Sequence, residues 1–482
     1  LDLDKIKVKK GIIWVLTQRL FLRIFSFLRI PILARLISPE DFGLFGIITT
    51  ILYMIDVLTR TGFQNALIQK KENVEAYLDV AWTINLIRGV IQTTIIVLVA
   101  QSVANFYDEQ KLIELILFSS LSPLINSFES MQTIILRKKL QLKILSLFTI
   151  LVSACGFGIT IGLALYTRNI WALVWGTLVQ TAITTIGSYF IAPYRPHFNF
   201  ELLKIKDLWS YGKWEFLSGL LLTIILRGDN LFVGKVLGVA AVGYYSMAYN
   251  IGNMVTTEIV DSIRGVIFPA FSSIQDDIPR LKTSYLTIFH FTALIGFIFT
   301  ITLNLLAPQF VEILLGQKWM IIVPTLQVLA LLGGVQMLST STSPLFRAIN
   351  QPDWYAKIQA LKLVIFVIII YPFSINWGIT GTAYAALTAS LIEIPIGLFL
   401  TKKTLVCSYR DILLPLIAPL ISATIITISY LIIENQLNFR ALPHLIIIGT
   451  LIFFLYICIT LFVDHFLNTG LWKLIKETIQ IK

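Results

Sequence analysis

The sequence predicts an all-α integral membrane protein, and three observations carry that prediction. Of its 482 residues, 56% are hydrophobic and 13% charged, too few polar groups for a soluble domain to cover its surface. Apolar runs of about 20 residues, the length that crosses a hydrocarbon core roughly 30 Å thick, recur from Gly11 almost to the end. Runs such as 361–371 (LKLVIFVIIIY) and 445–457 (LIIIGTLIFFLYI) are continuous. They lack the polar–apolar alternation of a membrane barrel, which leaves helices, whose backbone is satisfied internally, as the spanning element.

Taken in order, the first span is expected over 11–35, after the charged stretch LDLDKIKVKK. It carries Arg19, Arg23 and Arg29 and ends without a small-residue cleavage site, so a removable signal peptide is not expected. Spans over 42–66, 77–104, 112–134, 144–166 and 169–191 complete a first group of six. A second group runs through 209–234, 240–265, 284–306, 320–346, 357–375 and 378–401, and two more follow over 410–433 and 443–464, fourteen in all. Two stretches are less apolar, 270–283 and the tail 466–482. In the tail, Leu471, Trp472, Leu474 and Ile475 beside Lys473 and Lys476 read as an interfacial amphipathic helix.

The net charge of +11 reports topology. Lys and Arg concentrate in alternate loops, among them Arg137-Lys138-Lys139 and Lys402-Lys403, and no single amphipathic face collects them as a nucleic-acid surface would. The positive-inside rule then puts both termini and the basic loops in the cytoplasm, with the loops around 36–41, 105–111, 167–168, 235–239, 307–319, 376–377 and 434–442 outside. The longest outward loop, about thirteen residues, is too short for a folded extramembrane domain. Cys155, Cys407 and Cys458 are scattered and read as small buried residues, with no zinc or redox spacing. His197, His290, His444 and His465 are far apart, and neither a metal-ligand pair nor a phosphate-binding glycine loop is present, so no catalytic residue, metal or cofactor is expected. His290, alone at membrane depth, reads as a packed hydrogen-bonding group.

An internal repeat is expected. Residues 33–46 set above 233–246, at an offset of 200, align Arg35 with Lys235 and Gly43 with Gly243. Weaker echoes near an offset of 205 pair 171–177 with 376–382 and 67–72 with 273–277. Repetition in one orientation, six spans per half, predicts two bundles related by a pseudo-two-fold axis along the membrane normal. The expected organisation is 1–206 as the N-terminal bundle, 207–403 as the C-terminal bundle, 404–465 as two extra helices and 466–482 as the tail.

Charges inside the spans mark where function is sought, because each costs on the order of 3 kcal/mol or more at the bilayer centre. Arg23 and Arg29 on the first span read as a cationic cavity wall for an anionic substrate, since guanidinium forks match phosphate oxygens. Arg88 on the third span and Arg227 on the seventh join them. Asp56 and Arg60 stand at i and i+4 on the second span, and Glu258, Asp261 and Arg264 make a mixed cluster on the eighth. Asp229, Lys362 and Glu393 complete the set. Salt bridges between helices and ion coupling explain the acidic members equally well, and nothing in them selects between H⁺ and Na⁺.

The motifs resemble a known family. The run 34–46 (ARLISPEDFGLFG), ALIQKKE at 66–72, LRKKLQLK at 136–143, DNLFVGKVLGVAAVGYYSMAYN at 229–250, FPAFSSIQDD at 268–277, LLGQKWMIIVPTLQVLA at 314–330 and FRAINQPDW at 346–354 look, in order, like those of Wzx-type polysaccharide flippases. These belong to the multidrug/oligosaccharidyl-lipid/polysaccharide exporter superfamily. The resemblance implies a bacterial inner-membrane transporter, not an enzyme, that flips undecaprenyl-diphosphate-linked oligosaccharide by alternating access for O-antigen, capsule or exopolysaccharide assembly. It implies membrane lipids and polysaccharide polymerase machinery as neighbours. It carries over no individual functional residue, because arginine positions in these cavities vary with substrate. A lipid II flippase and a drug/cation antiporter of the same superfamily are the alternatives, the latter at odds with an arginine-rich interior. A membrane polymerase or ligase is the alternative from another class, and would need a larger outward loop.

Overall fold

A computed structural model describes residues 2–59, 67, 74–201, 228–433 and 442–467. All regular structure among them is helical. Among the described residues, eight helical stretches are long and apolar enough to cross a membrane, nine if a bent pair is counted, and the chain is a multi-pass membrane protein. It divides into two compact units, Leu1–Gly243 and Tyr244–Lys482.

In the first unit α1 (Asp2–Leu36) leads through a two-residue turn into α2 (Pro39–Leu58). The turn is written in the sequence ISPED. Ser38 is extended and its hydroxyl accepts from the Asp41 amide at 3.1 Å, Pro39 supplies a preset φ, and Glu40 and Asp41 face the helix dipole. A 3₁₀ turn, Val74–Tyr77, opens α3 (Leu78–Tyr107). After α4 (Lys111–Ser119), α5 (Leu121–Ser127) and α6 (Gln132–Lys138) come α7 (Leu142–Thr167) and α8 (Trp171–Ile191). Helix α1 packs on α7, where Phe25 stacks on Phe157 at 5.6 Å.

The span expected as one helix over 112–134 is instead broken, with a 62° bend between Lys111–Ser127 and Gln132–Lys138. Breaking a helix frees carbonyls that lipid cannot satisfy. Here side chains of α3 and α8 capture them: Thr185 donates to the Ile125 oxygen at 3.0 Å, Asn85 to that of Ser127 at 3.0 Å, and Tyr189 to that of Phe128 at 2.7 Å. The Ser130 amide donates to Ser188 Oγ at 2.9 Å. With these groups satisfied by the protein itself, the bend is a structural one.

Residues 228–237 are helical, and α9 (Val239–Ser272) begins after Gly238, at φ +91°. The second unit continues with α10 (Ile278–Phe310), α11 (Val323–Leu338), α12 (Thr342–Ala348), α13 (Pro352–Leu391), α14 (Glu393–Leu405), α15 (Tyr409–Ile433) and α16 (Leu442–Leu467). The outward loop expected over 307–319 is largely helical: α10 reaches Phe310, a π turn covers Val311–Leu315, and a 3₁₀ turn covers Gln317–Ile322. Between α10 and α11, Asn304 and Gln327 exchange amide-to-carbonyl bonds, each 3.1 Å. Helices α15 and α16 dock on α10 through Ile298, Leu306, Ile426, Tyr430, Leu445, Ile452 and Tyr456. The two-residue loop expected at 376–377 is found as a kink in α13, with Trp377 non-helical and Gly378 at φ +58°, a conformation glycine takes without a Cβ clash.

Two helix-ending turns, at Leu140 and at Asn350, share one geometry, each closed by a residue with positive φ. Leu140 N bonds Arg137 O at 3.1 Å and Gln141 N bonds Leu136 O at 2.9 Å; Asn350 N bonds Arg347 O at 3.2 Å and Gln351 N bonds Phe346 O at 2.8 Å. This is one helix-ending motif used twice.

Candidate functional site

The intramembrane charges fall into three kinds of environment. Helix α1 is continuous, so its arginines are placed by helical geometry alone. Arg19 and Arg23 share a face, with Arg19 exposed and Arg23 half-buried. Arg29 is six residues beyond Arg23, which on a helix of 3.6 residues per turn puts the two about 120° apart. They can both line a wide cavity but not a narrow wall. Arg29 is half-buried and has no carboxylate, ring or hydrogen-bond partner among the described residues.

Arg88 is different. From α3 it forms an ion pair with Asp56 of α2, and its guanidinium also donates to the Thr59 and Asp56 carbonyl oxygens at 3.0 and 3.1 Å. Gln92, one turn further along α3, donates to Thr59 Oγ1 at 2.8 Å and Asp56 Oδ1 at 3.3 Å. These bonds cap the carbonyl end of α2, where the helix dipole favours a cation. The sequence pairs Asp56 with Arg60 at i+4; Arg60 lies outside the described residues, and the partner the structure adds comes from another helix, which local spacing cannot reveal.

In the second unit, Glu393 opens α14 as a buried carboxylate and pairs with Lys362 of α13 at 3.6 Å. Burial makes the two charges mutually dependent, because either alone would be desolvated without compensation. Asp229, also buried, accepts the Asn230 amide at 2.8 Å. Arg227 lies outside the described residues, as do the side chains of Glu258, Asp261 and Arg264, although all three sit on α9. The amphipathic tail expected at 466–482 falls almost wholly outside them too. His290 is buried, with Nε2 at 3.2 Å from the Ile412 oxygen, a packed hydrogen-bonding role.

One feature had only a sequence shadow. Gly43 and Gly243, aligned at the 200-residue offset, are in direct contact. A Cβ placed on Gly43 would lie 1.9 Å from the Val239 oxygen, and one on Gly243 would lie 1.9 Å from the Pro39 oxygen. The approach is reciprocal, each glycine facing the carbonyl oxygen four residues before the other.

Comparison with known proteins adds the family. "Uncharacterized membrane protein in cps region" of Klebsiella pneumoniae is 27% identical over 403 residues, 83% of each chain. "Lipopolysaccharide biosynthesis protein WzxC" of Escherichia coli is 24% identical over 416 residues, 85% of each chain. Among solved structures, a lipid II flippase, MurJ, in an inward closed conformation superposes with a TM-score of 0.76 at 15% identity, covering 95% of this chain and 100% of that one, a likeness of fold. A sequence model described as "Polysaccharide biosynthesis protein" matches residues 32–324, more than half of the chain. The protein is therefore a multi-pass membrane protein that belongs to the polysaccharide biosynthesis protein family, with motifs that resemble those of Wzx-type flippases.

Proposed function

We propose that the protein flips undecaprenyl-diphosphate-linked oligosaccharide units from the cytoplasmic to the outer leaflet of a bacterial inner membrane by alternating access. The reading includes fourteen spans, two six-helix bundles plus two C-terminal helices, and both termini in the cytoplasm. The observation that carries it is Arg29, a half-buried guanidinium on α1 without a balancing carboxylate among the described residues. A cation held at membrane depth without an internal counterion is stabilised by an anion that arrives from outside the protein, and a diphosphate offers oxygens that a guanidinium fork can grip. Arg23 and Arg227 are the further phosphate ligands in this reading. Arg88, whose charge Asp56 balances, is kept as the residue that holds the end of α2. Asp229, Glu258 and Asp261 are the proposed candidates for coupling to H⁺ or Na⁺, and Glu393 is held in its pair with Lys362.

The test is the leaflet distribution of lipid-linked oligosaccharide in cells lacking the protein, carrying it, or carrying the Arg23→Ala/Arg29→Ala pair. Accumulation on the cytoplasmic face that only the intact protein relieves is the expected result. Unchanged leaflet distribution on deletion would overturn the flipping role, and full activity of the double variant would remove the arginines from it.

A further inference from the structure

The basic pair Lys402-Lys403 lies in the last turn of α14, and a turn of three residues, 406–408, leads from there into α15. Each ammonium rests on an aromatic ring of a neighbouring helix. Lys402 Nζ is 4.2 Å from the centre of the Tyr409 ring at the start of α15, and Lys403 Nζ is 5.9 Å from that of Trp354 in the first turn of α13. A ring face attracts an ammonium without accepting its N–H groups as a carboxylate does, so the charge is placed while its donors stay open. Arg410, beside Tyr409, is exposed and adds a third cation. The carboxylates of the two helix starts are already committed: Asp411 takes Lys282 at 2.7 Å, and Asp353 takes Lys357 at 2.8 Å. Lys402, Lys403 and Arg410 have no carboxylate partner among the described residues.

The turn that presents these cations is ordered. The Cys407 amide donates to the Lys402 oxygen at 3.4 Å, the Arg410 amide to Ser408 Oγ at 3.2 Å, and the Ser408 amide to Asp411 Oδ2 at 3.1 Å. A fixed backbone lowers the ordering cost of binding. At the tip, Val406 has φ +47°, a left-handed conformation that a β-branched residue takes only under strain, and it is 81% exposed. An apolar tip held this way gains from hydrocarbon around it and nothing from water. Below the cations the exposed surface is apolar. Phe399 stands three and four residues before Lys402 and Lys403, and Leu413 three after Arg410, so each lies one turn deeper on the same helix face. Exposed Ile417 and Leu420 continue the stripe along α15.

We propose that the α14–α15 turn binds the headgroup phosphate of an anionic phospholipid, with Lys402, Lys403 and Arg410 on the phosphate oxygens and the acyl chains along Val406, Phe399 and Leu413. The layering selects a lipid over an acidic protein: cations at the surface, aromatic rings beside them and hydrocarbon one turn below follow the order of chemistry through a bilayer interface. The positive-inside expectation puts the turn at the cytoplasmic leaflet, whose anionic headgroups attract basic residues. One lipid then ties together the start of α13, the end of α14 and the start of α15. The basic turn of the first unit, Arg137-Lys138-Lys139, is built differently, with Lys139 3.9 Å from Glu75, and serves as a matched control. The proposal rests on the membrane-spanning character of the chain and not on what it transports.

The test titrates the full chain, purified in neutral detergent, with dioleoyl phosphatidylglycerol or with zwitterionic dioleoyl phosphatidylcholine, and reads retained lipid by native mass spectrometry. The parent is expected to prefer phosphatidylglycerol by about tenfold or more, and Lys402→Gln/Lys403→Gln/Arg410→Gln to lose most of that preference. All three side chains are exposed, and an unfolding midpoint without lipid checks that the variant is folded. Arg137→Gln/Lys138→Gln/Lys139→Gln removes the same charge and is expected to keep the preference. Val406→Asn relieves the backbone strain and keeps every cation, yet is expected to weaken phosphatidylglycerol binding about threefold, because the apolar tip is gone. Equal retention of both lipids by the parent, or equal losses in the two triple variants, would overturn the site. Unchanged binding by Val406→Asn would overturn the lipid as its occupant. Lipid retention is read without transport, so each of these failures leaves the flipping reading standing.

Discussion

Arg88 and Asp56 join α3 to the end of α2 through an ion pair that also gathers the last carbonyl oxygens of α2. Arg88 is largely shielded and Asp56 about 40% exposed, so the pair stabilises less than a fully buried one. Arg88→Ala is expected to cost about 2 kcal/mol, because it strips Asp56 and the helix end of a cation together. Asp56→Asn should cost less, since Arg88 keeps its two carbonyl acceptors. Unfolding midpoints in detergent check the order, and equal losses would mean that the carboxylate, not the helix end, dominates.

Leu140 and Asn350 occupy matching left-handed positions, φ 56° and 58°, at the ends of matching turns. Asparagine tolerates this conformation and leucine does so at a cost of roughly 1 kcal/mol. Exchange should therefore have opposite signs at the two sites. Leu140→Asn is expected to raise the midpoint and Asn350→Leu to lower it, by about 1 kcal/mol each. The comparison is made within one protein under one set of conditions, and like signs would refute the equivalence of the turns.

The all-helical, multi-pass character was legible because lipid imposes it, and the loop expected at 376–377 is the kink at Trp377 and Gly378. Ser38-Pro39-Glu40-Asp41 is a capped helix start that any reader of the sequence can locate. Partnership was less legible. Asp56 finds Arg88 thirty-two positions away, and Lys362 finds Glu393, through helix packing that apolar sequence scarcely encodes. The break at 128–131 was missed because hydropathy averages over it, while the bonds that make it tolerable come from Asn85, Thr185, Ser188 and Tyr189 on other helices.

Lys362 and Glu393 make the clearest case for a double-variant cycle. Glu393 is 6% exposed in its side chain and Lys362 22%. Lys362→Met leaves a buried carboxylate uncompensated and is expected to cost about 3 kcal/mol, with Glu393→Gln costing less because an amide is neutral. The double variant Lys362→Met/Glu393→Gln should be more stable than Lys362→Met alone. Additive losses in thermal unfolding would show that the two charges act independently.

Arg29 should behave in the opposite sense, because nothing among the described residues compensates it. A residue kept for stability loses stability when replaced; a charge kept for a substrate relieves a cost. Arg29→Met preserves the length and the apolar stem while removing the charge. It is expected to leave the unfolding midpoint unchanged or raise it by about 1 kcal/mol, and to reduce flipping by roughly tenfold or more, the loss of one charge-assisted hydrogen bond. Arg29→Lys should retain more flipping than Arg29→Met, since the ammonium still offers charge but not the fork. Two measurements on the same preparations, unfolding and leaflet distribution, decide it. A variant that lost stability and transport in proportion would make Arg29 a structural residue, whereas loss of transport alone would identify its cost in the resting protein as the counterpart of binding an anion.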